Sequence, residues 1–445
     1  MNDIMNNRLN QDYNTTQLFR YTFPSILSLV FMAVYQMTDA IFVSNFIGEN
    51  ALASLNIAYP VISVAVAIGL MFSTGGSAIT AKKMGQGKTL EAKEDFTCIV
   101  LAAFFCGCLI SVFCFISFEP LLIFIGAAPS LYKDCADYLG TLLPFLPAAA
   151  LQMVFSSFFI AAGKPGLGFF LTSLAGAANI ILDYVFIVLF HMETRGSALG
   201  TAAGYLITAL SGLVYFFFFR NGSLYFVRPR LRIKTLAFAC FNGSSEMINN
   251  LSVAVTTLLF NRLSLKYMGE DGVAAITVVL YAQFFLTSVY MGYIGGAAPL
   301  FSFNLGMKNR KRLSSLFRSS LLTVSGITLF VIVISFTLSN YMVSIYIRPN
   351  SPVFALARRG FLIFATSYLF AGFNIYTSGL FTALQNGKLS ALISILRTFL
   401  FLVLFLFLLP LLFEMDGVWM AVPAAEFCSI LISGRLLLKY NVTNR

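Results

Sequence analysis

The chain has 445 residues, of which 58% are hydrophobic and only 11% charged, with a formal net charge of +11 and a mean hydropathy of +0.84. Average soluble proteins carry roughly twice that charged fraction, so the composition excludes a soluble globular chain. The seven cysteines show no metal-type spacing, and no GxxxxGK[ST] phosphate loop is present. These absences exclude an ATP-driven pump on one chain and predict that the protein needs no cofactor.

Long continuous apolar runs predict an all-α integral membrane protein, because a transmembrane barrel would instead show short alternating segments. The polar N-terminus lacks the apolar core and cleavage site of a signal peptide. Connections between the runs are short, and the longest is the basic stretch 221–233. We predict twelve transmembrane helices, at 16–45, 51–81, 93–118, 131–162, 166–190, 197–220, 234–267, 272–304, 313–339, 353–385, 388–413 and 417–440.

The basic residues are distributed unevenly between the two ends of these helices. Together with the termini, the connections on one side carry 21 of the 29 lysines and arginines. By the positive-inside rule this side faces the cytoplasm. The distribution predicts a multi-pass protein of the plasma membrane with both termini cytoplasmic. It also explains the net charge through topology, so the lipid bilayer is the expected partner and nucleic acid is not.

The second half of the chain repeats the first. The segment 46–88 matches 267–309 at a constant offset of 221 residues. The matched glycines are Gly48 and Gly85 in the first copy, and Gly269 and Gly306 in the second. Six helices in each half imply parallel repeats around an axis along the membrane normal. We therefore predict two pseudo-two-fold-related lobes around a central cavity.

This repeat divides the chain into an N-terminal six-helix lobe at 1–220, an interlobe linker at 221–233 that we place in the cytoplasm, and a C-terminal six-helix lobe at 234–445. Two complete lobes suffice for alternating access, so a monomer is expected. The charged residues inside the membrane break the symmetry of the repeat. Asp39 aligns with Phe260 and Asp183 with an apolar stretch of helix 11, which suggests that function was added to one lobe at a time.

Four polar residues of the first lobe are expected to lie at similar depth. A carboxylate within an apolar helix costs roughly 3 kcal/mol on insertion scales, so it persists where it faces a cavity or a partner. Asp39 lies in the outer half of helix 1. Asn179 and Asp183 share one face of helix 5, because they are four residues apart. Thr201 lies in the first turns of helix 6. A carboxylate pair with neutral oxygens around it can take up a proton or hold Na⁺.

Other polar positions are candidates for bending or for substrate contact. Pro24 removes a hydrogen bond inside helix 1 and so offers a bend point. Glu246 lies at mid-depth in helix 7, on a polar stripe with Asn242, Asn249 and Asn250, where it would attract cationic amphiphiles or make an interlobe hydrogen bond. Further polar candidates for the cavity are Gln36, Gln152, Gln283 and Asn374.

Two charged residues lie inside apolar runs of the second lobe, Arg397 in helix 11 and Glu426 in helix 12. We interpret them as an ion pair or polar contact within that lobe, with a transport role as the alternative. The only histidine, His191, is expected at the surface at the outer end of helix 5.

Taken together, these residues resemble the MATE (multidrug and toxic compound extrusion) family of cation-coupled exporters, and the resemblance covers essentially the whole chain. Its pieces are FP at 23–24, YQMTDAIFVSNFIG at 35–48, KKMGQGK at 82–88, ANIILDYVFI at 178–187, RGSALGTA at 195–202 and SSEMINNLS at 244–252. Each piece alone is weak, but all occur in order within two six-helix halves.

The resemblance implies roles for individual residues. The family's helix 1 acid matches Asp39, its helix 5 Asn and Asp match Asn179 and Asp183, and its helix 6 threonine matches Thr201. Its bending proline and its helix 7 glutamate match Pro24 and Glu246. The helix 10 acid of some members has no match here, since Asn374 is the only polar centre of that helix. This departure favours coupling through the first lobe.

The leading hypothesis is therefore a proton- or Na⁺-coupled antiporter that exports small organic, mainly cationic, compounds by alternating access. The alternative is a flippase for a lipid-linked precursor, which would be expected to have a basic cavity for phosphate. The candidate cavity residues are acidic or neutral, which disfavours it. An intramembrane enzyme would need a motif such as HExxH or DDxxD, and neither is present. The carboxylates suit either ion, so the sequence leaves proton and Na⁺ open.

Overall fold

Helices account for nearly all of the computed structural model, which describes residues 8–127 and 129–440. The helices long and apolar enough to span a membrane are α1 (Thr15–Ile47), α2 (Asn50–Gly85), α3 (Thr89–Ile116), α4 (Tyr132–Ala161), α5 (Pro165–Leu189), α6 (Glu193–Phe218), the double run Ile233–Gly306, α9 (Arg310–Thr337), the pair Pro352–Ala365 and Tyr368–Ala383 bent by 52°, and the double run Gly387–Tyr440. The bent pair is α10.

Each double run contains one residue whose backbone leaves the helical region, Gly269 (φ 62°) and Glu414 (φ 48°). The first run therefore contains α7 (233–268) and α8 (270–306), and the second contains α11 (387–413) and α12 (415–440). Counted in this way, the described part of the chain holds the twelve predicted membrane segments. Their ends lie within a few residues of the predicted ones. The largest shift at a helix start is four residues, at α3 and α6, because Thr89 and Glu193 begin polar first turns that hydropathy does not detect.

The repeat is visible in the turns as well as in the helices. Gly48 between α1 and α2 and Gly269 between α7 and α8 both have positive φ, and they are 221 residues apart. Gly163 between α4 and α5 and Gln385 between α10 and α11 also have positive φ, at an offset of 222. Two lobes of six helices are thus built on one plan. Residues 1–7 and 441–445 lie outside the described residues. The predicted location of the two termini therefore stays a prediction.

The lobes touch at the end of the helices that carries most basic residues, which we call the basic end. There α2 and α8 cross with their backbones in direct contact. A methyl group added to Gly85 would lie 2.0 Å from the Phe303 carbonyl oxygen, and one added to Gly306 would lie 2.1 Å from the Lys82 carbonyl oxygen. The two contacts are related by the repeat, because Lys82 and Phe303 are 221 residues apart, as are Gly85 and Gly306. Glycine permits this approach, as it does at close helix crossings in membranes generally.

The first helix also belongs to the interface between the lobes. On α8, Gly292 packs against the backbone of Ile26, and Gly296 packs against Thr22 and Ser25. The N-terminal part of α1 is therefore fixed to the C-terminal lobe. Its C-terminal part packs against α5 and α6, and it also contacts the C-terminal lobe, because the Tyr346 hydroxyl donates to Met37 Sδ at 3.0 Å.

The interlobe linker packs against α3 of the N-terminal lobe. It runs from 219 to 232, close to the predicted 221–233, because α6 ends at Phe218 and α7 begins at Ile233. The Val227 N–H donates to Thr97 Oγ1 on α3 at 3.2 Å. At its end Arg232 forms ion pairs with Glu91 at 3.0 Å and Glu94 at 2.6 Å. The linker is thereby bound to α3 up to the start of α7.

Candidate functional site

Asp39 and Asp183 meet inside the N-terminal lobe, as the sequence predicts. Asp183 on α5 is completely buried, and its carboxyl group contacts that of Asp39 in the C-terminal part of α1. Ser197 Oγ on α6 donates to Asp39 Oδ1 at 3.0 Å. Apart from the contact with Asp39, no donor among the described residues reaches either oxygen of Asp183. We call these two residues the carboxylate pair.

The backbone of α6 packs directly against the carboxylate pair. Gly196, Gly200 and Gly204 repeat every four residues, so they form a stripe on the side of α6 that faces α5. A methyl group added to Gly200 would lie only 2.0 Å from Asp183 Oδ1. Only glycine at this position lets the carboxyl group of Asp183 occupy its place between the helices.

Both acids are followed by widened helical turns. The turns at Val43–Ile47 on α1 and Tyr184–Leu189 on α5 are of the π type, in which the backbone hydrogen bond spans five residues. Such turns are rare and frequently occur at functional sites in α-helices. Here they lie at the C-terminal ends of the two helices that carry the carboxylate pair.

Asn179 and Thr201 lie close to the carboxylate pair, but their side chains differ in their hydrogen-bond partners. Asn179 is 2% exposed, and its side-chain oxygen receives no hydrogen bond from the described residues. The Thr201 hydroxyl pairs with the Tyr138 hydroxyl on α4, which lies near both carboxyl groups. Tyr138 and Ser197 are functional candidates that the sequence analysis missed. Ser197 had a signal, since it lies four residues before Thr201 on the same face of α6, whereas a tyrosine in an apolar helix gives none.

The site is acidic and rich in oxygen. Among the described residues, no lysine, arginine or histidine acts on either carboxyl group of the pair. Two carboxylates in contact repel each other unless a proton or a metal cation reduces their charge. The surrounding oxygen donors are neutral, and hard cations prefer such oxygen ligands. The arrangement can therefore bind a proton between the two acids or a small cation among them.

The other predicted acid, Glu246, lies in the C-terminal lobe. The Asn249 amide donates to its Oε2 at 3.5 Å, one helical turn away, and the charge of Arg397 on α11 also acts on it. Arg397 Nε lies 3.4 Å from Glu426 Oε1, so these two residues form the predicted ion pair. Asn374 completes the group by donating to Glu426 Oε2 at 2.7 Å.

The remaining candidates are more dispersed. No hydrogen bond in the described ranges joins Gln36 or Gln283 to Glu246, and their place in a substrate cavity stays a prediction. The side-chain oxygen of Asn250 is buried without a donor among the residues described. Pro24 lies within α1, which continues through it, beside the contacts of that helix with α8.

Two six-helix lobes related by an internal repeat, with unpaired acids buried between helices, have the architecture of a secondary transporter. The family model MatE matches residues 24–185 and 246–408, once in each lobe. The chain belongs to this family, whose members are multidrug export transporters rather than enzymes.

Similar proteins support the assignment over the whole length. The multidrug export protein MepA of Staphylococcus saprophyticus is 22% identical over 441 residues, covering 96% of this chain and 94% of its own. The solved structure of a MATE family multidrug resistance transporter in its outward-facing conformation has a TM-score of 0.89 at 18% identity, covering 96% and 97% of the two chains. A MOP superfamily transporter from Pyrococcus furiosus has a TM-score of 0.90 at 17% identity, covering 98% of each chain. The fold is therefore that of MATE transporters.

Proposed function

We propose that the protein exports small organic cations in exchange for protons or Na⁺, and that the carboxylate pair is its ion-coupling site. The observation that carries this proposal is the isolation of Asp183, which is fully buried and receives no donor except through its contact with Asp39. A structural acid at this depth would be expected to have a permanent partner. A coupling acid needs instead a partner that arrives and leaves, such as a cation.

The position of Asp39 on α1 suggests how binding drives the change of conformation. The N-terminal part of α1 packs against α8 through the backbone of Ile26, whereas Asp39 contacts residues of the N-terminal lobe. Pro24 lies between the start of the helix and Asp39 and lacks the N–H for an internal hydrogen bond. A cation on the carboxylate pair stabilises one arrangement of α1 over the other. Differential affinity of this kind is what lets an ion shift the equilibrium between outward- and inward-facing states.

The membrane orientation follows from the charges. We place the basic end in the cytoplasm, in agreement with the positive-inside rule. Drug would then enter from the cytoplasm and leave on the opposite side, where the cation is loaded.

Cationic substrates are supported by the charge of the candidate cavity residues. Glu246 is partly exposed, and its neighbour Asn249 is neutral. A flippase for an anionic lipid-linked precursor is the alternative, but the one basic residue near Glu246, Arg397, is already paired with Glu426. An anionic headgroup would therefore lack a free cationic partner there.

Efflux of a fluorescent cationic dye from proteoliposomes tests this function. We expect dye to move against its gradient when either a pH or a Na⁺ gradient is imposed, and the effective gradient identifies the ion. Protein that is folded but moves no dye under either gradient would contradict the proposal. Transport of an anionic lipid-linked precursor by the same preparation would then support the flippase.

A further inference from the structure

The C-terminal lobe has a buried polar group of its own, which we call the C-lobe cluster. It consists of Asn374 on α10, Arg397 on α11, and Glu426 and Ser433 on α12. The ion pair at its centre is withdrawn from solvent, because Arg397 is 9% and Glu426 7% exposed. Ser433 Oγ donates to Asn374 Oδ1 at 2.6 Å, and the amide of Asn374 donates in turn to Glu426 at 2.7 Å. Glu426 Oε1 thus lies beside the guanidinium group of Arg397, and Glu426 Oε2 accepts from Asn374.

The repeat gives this cluster a counterpart in the N-terminal lobe that carries no charge. The turns at Gly163 and Gln385 fix an offset of 222 residues for α4 to α6 against α10 to α12. At this offset Asn374 corresponds to Gln152, Arg397 to Ala175 and Glu426 to Gly204. The N-terminal lobe has its buried acid on the same helix pair but about two turns away, at Asp183. Each lobe therefore buries a carboxylate between its last two helices, and only one of them has a fixed basic partner.

From this contrast we propose that Arg397 is a tethered cation, which permanently occupies the place beside Glu426 that a coupling ion would otherwise take. The C-terminal lobe then offers no second ion site, and the ion cycle is confined to Asp39 and Asp183. This inference rests on the proposed function, since it concerns how many ions accompany each substrate. It assigns to Arg397 the role of setting that number.

The neighbours of Glu426 support this role. Among the described residues, the groups acting on its carboxyl group are Arg397, the Asn374 amide and, from α8, the Tyr290 hydroxyl. The charge of Arg397 also acts on Glu246 on α7. Removal of Arg397 therefore leaves two acids on which no other basic group of the described residues acts. A buried carboxylate left without its partner takes up a proton or another cation.

The single tryptophan of the chain reports on this event. Trp419 is completely buried, packs against Gly360 and lies seven residues before Glu426 on α12, on the same face of the helix. The test uses purified full-length protein in which Asp39→Asn and Asp183→Asn remove the N-terminal ion site. In this background we expect the fluorescence of Trp419 and the melting temperature to stay the same when Na⁺ is added. Both should also stay the same when the pH is changed between about 5 and 8. Adding Arg397→Gln should make both quantities respond to one of the two ions.

Two matched variants control for the charge. Arg397→Lys should remain unresponsive, and Arg397→Gln combined with Glu426→Gln should lose the response. Folded Arg397→Gln that shows no response to either ion would overturn the proposal. If Arg397→Gln does not fold, the proposal is tested with the variant that carries Arg397→Gln and Glu426→Gln and keeps the native Asp39 and Asp183. We expect it to keep ion-driven transport at the wild-type ion-to-substrate ratio, and loss of coupling in this variant would overturn the proposal.

The failure of the proposed function is distinguishable from the failure of this inference. The fluorescence of Trp419 requires no transport, so it reports on Glu426 even if Asp183 proves dispensable for coupling.

Discussion

Asp183→Asn is expected to abolish ion-driven export and leave the protein folded. The wild-type carboxyl group has no donor except through its contact with Asp39, whereas an amide at this position can donate to Asp39 directly. The variant should therefore unfold with a free energy that is unchanged or higher by about 1–3 kcal/mol. It can no longer take up a proton at residue 183, and it offers a cation one formal negative charge fewer. Dye transport should fall to the level of liposomes without protein.

The measurement combines dye efflux with the melting temperature of the purified variant at several Na⁺ concentrations and pH values. The melting temperature of the wild type should rise with the coupling ion, because a ligand that binds the native state stabilises it, and that of the variant should not. Asp271→Asn, at an exposed position on α8, is the matched control and should behave as the wild type. Ion-driven efflux that persists in Asp183→Asn would leave the family assignment standing and contradict the coupling mechanism.

Gly306→Ala is expected to open the basic end of the molecule. The added methyl group would lie 2.1 Å from the Lys82 carbonyl oxygen, so α2 and α8 must separate. Overpacking of this kind costs about 1–3 kcal/mol, although alanine is otherwise the better helix former by about 1 kcal/mol. We expect the arrangement in which α2 and α8 touch at the basic end to lose population and export to decrease.

Hydrogen exchange measured by mass spectrometry checks this expectation. Peptides that contain 78–88 and 299–309 should exchange faster in Gly306→Ala than in the wild type. Gly295→Ala is the control on the same helix, since a methyl group there meets nothing within 4 Å. Equal exchange in the two variants would show that the glycine crossing does not hold the basic end closed.

The duplicated fold could be predicted from the sequence because glycines required by backbone geometry recur at a fixed offset. Gly48 and Gly269 both occupy turns with positive φ, and Gly85 and Gly306 both lie at the crossing of α2 and α8. The 52° bend within α10 could not be predicted, because the apolar run continues through it without a proline.

The acids of the candidate site could be predicted because a carboxylate in an apolar run is unusual by itself. Serine and threonine hydroxyls are common in such runs, since each can bond to its own helix backbone. Ser197 is therefore distinguished only by sharing a face of α6 with Thr201, and Tyr138 carries no signal of this kind. Their part in the site depends on which helices pack together. Gly200 is a similar case, because its contact with Asp183 becomes visible only once α5 and α6 are placed side by side.

Release of the coupling ion on binding of drug tests the central claim most directly. If the carboxylate pair and the drug are linked as in antiport, each must lower the affinity of the protein for the other by the same factor. Addition of a cationic dye to purified wild-type protein in weakly buffered solution should therefore release protons, or Na⁺ detected by an ion-selective electrode. We expect release from the wild type and from Asp271→Asn, and none from Asp183→Asn. Binding of dye without release of either ion, or equal release from Asp183→Asn, would contradict this account.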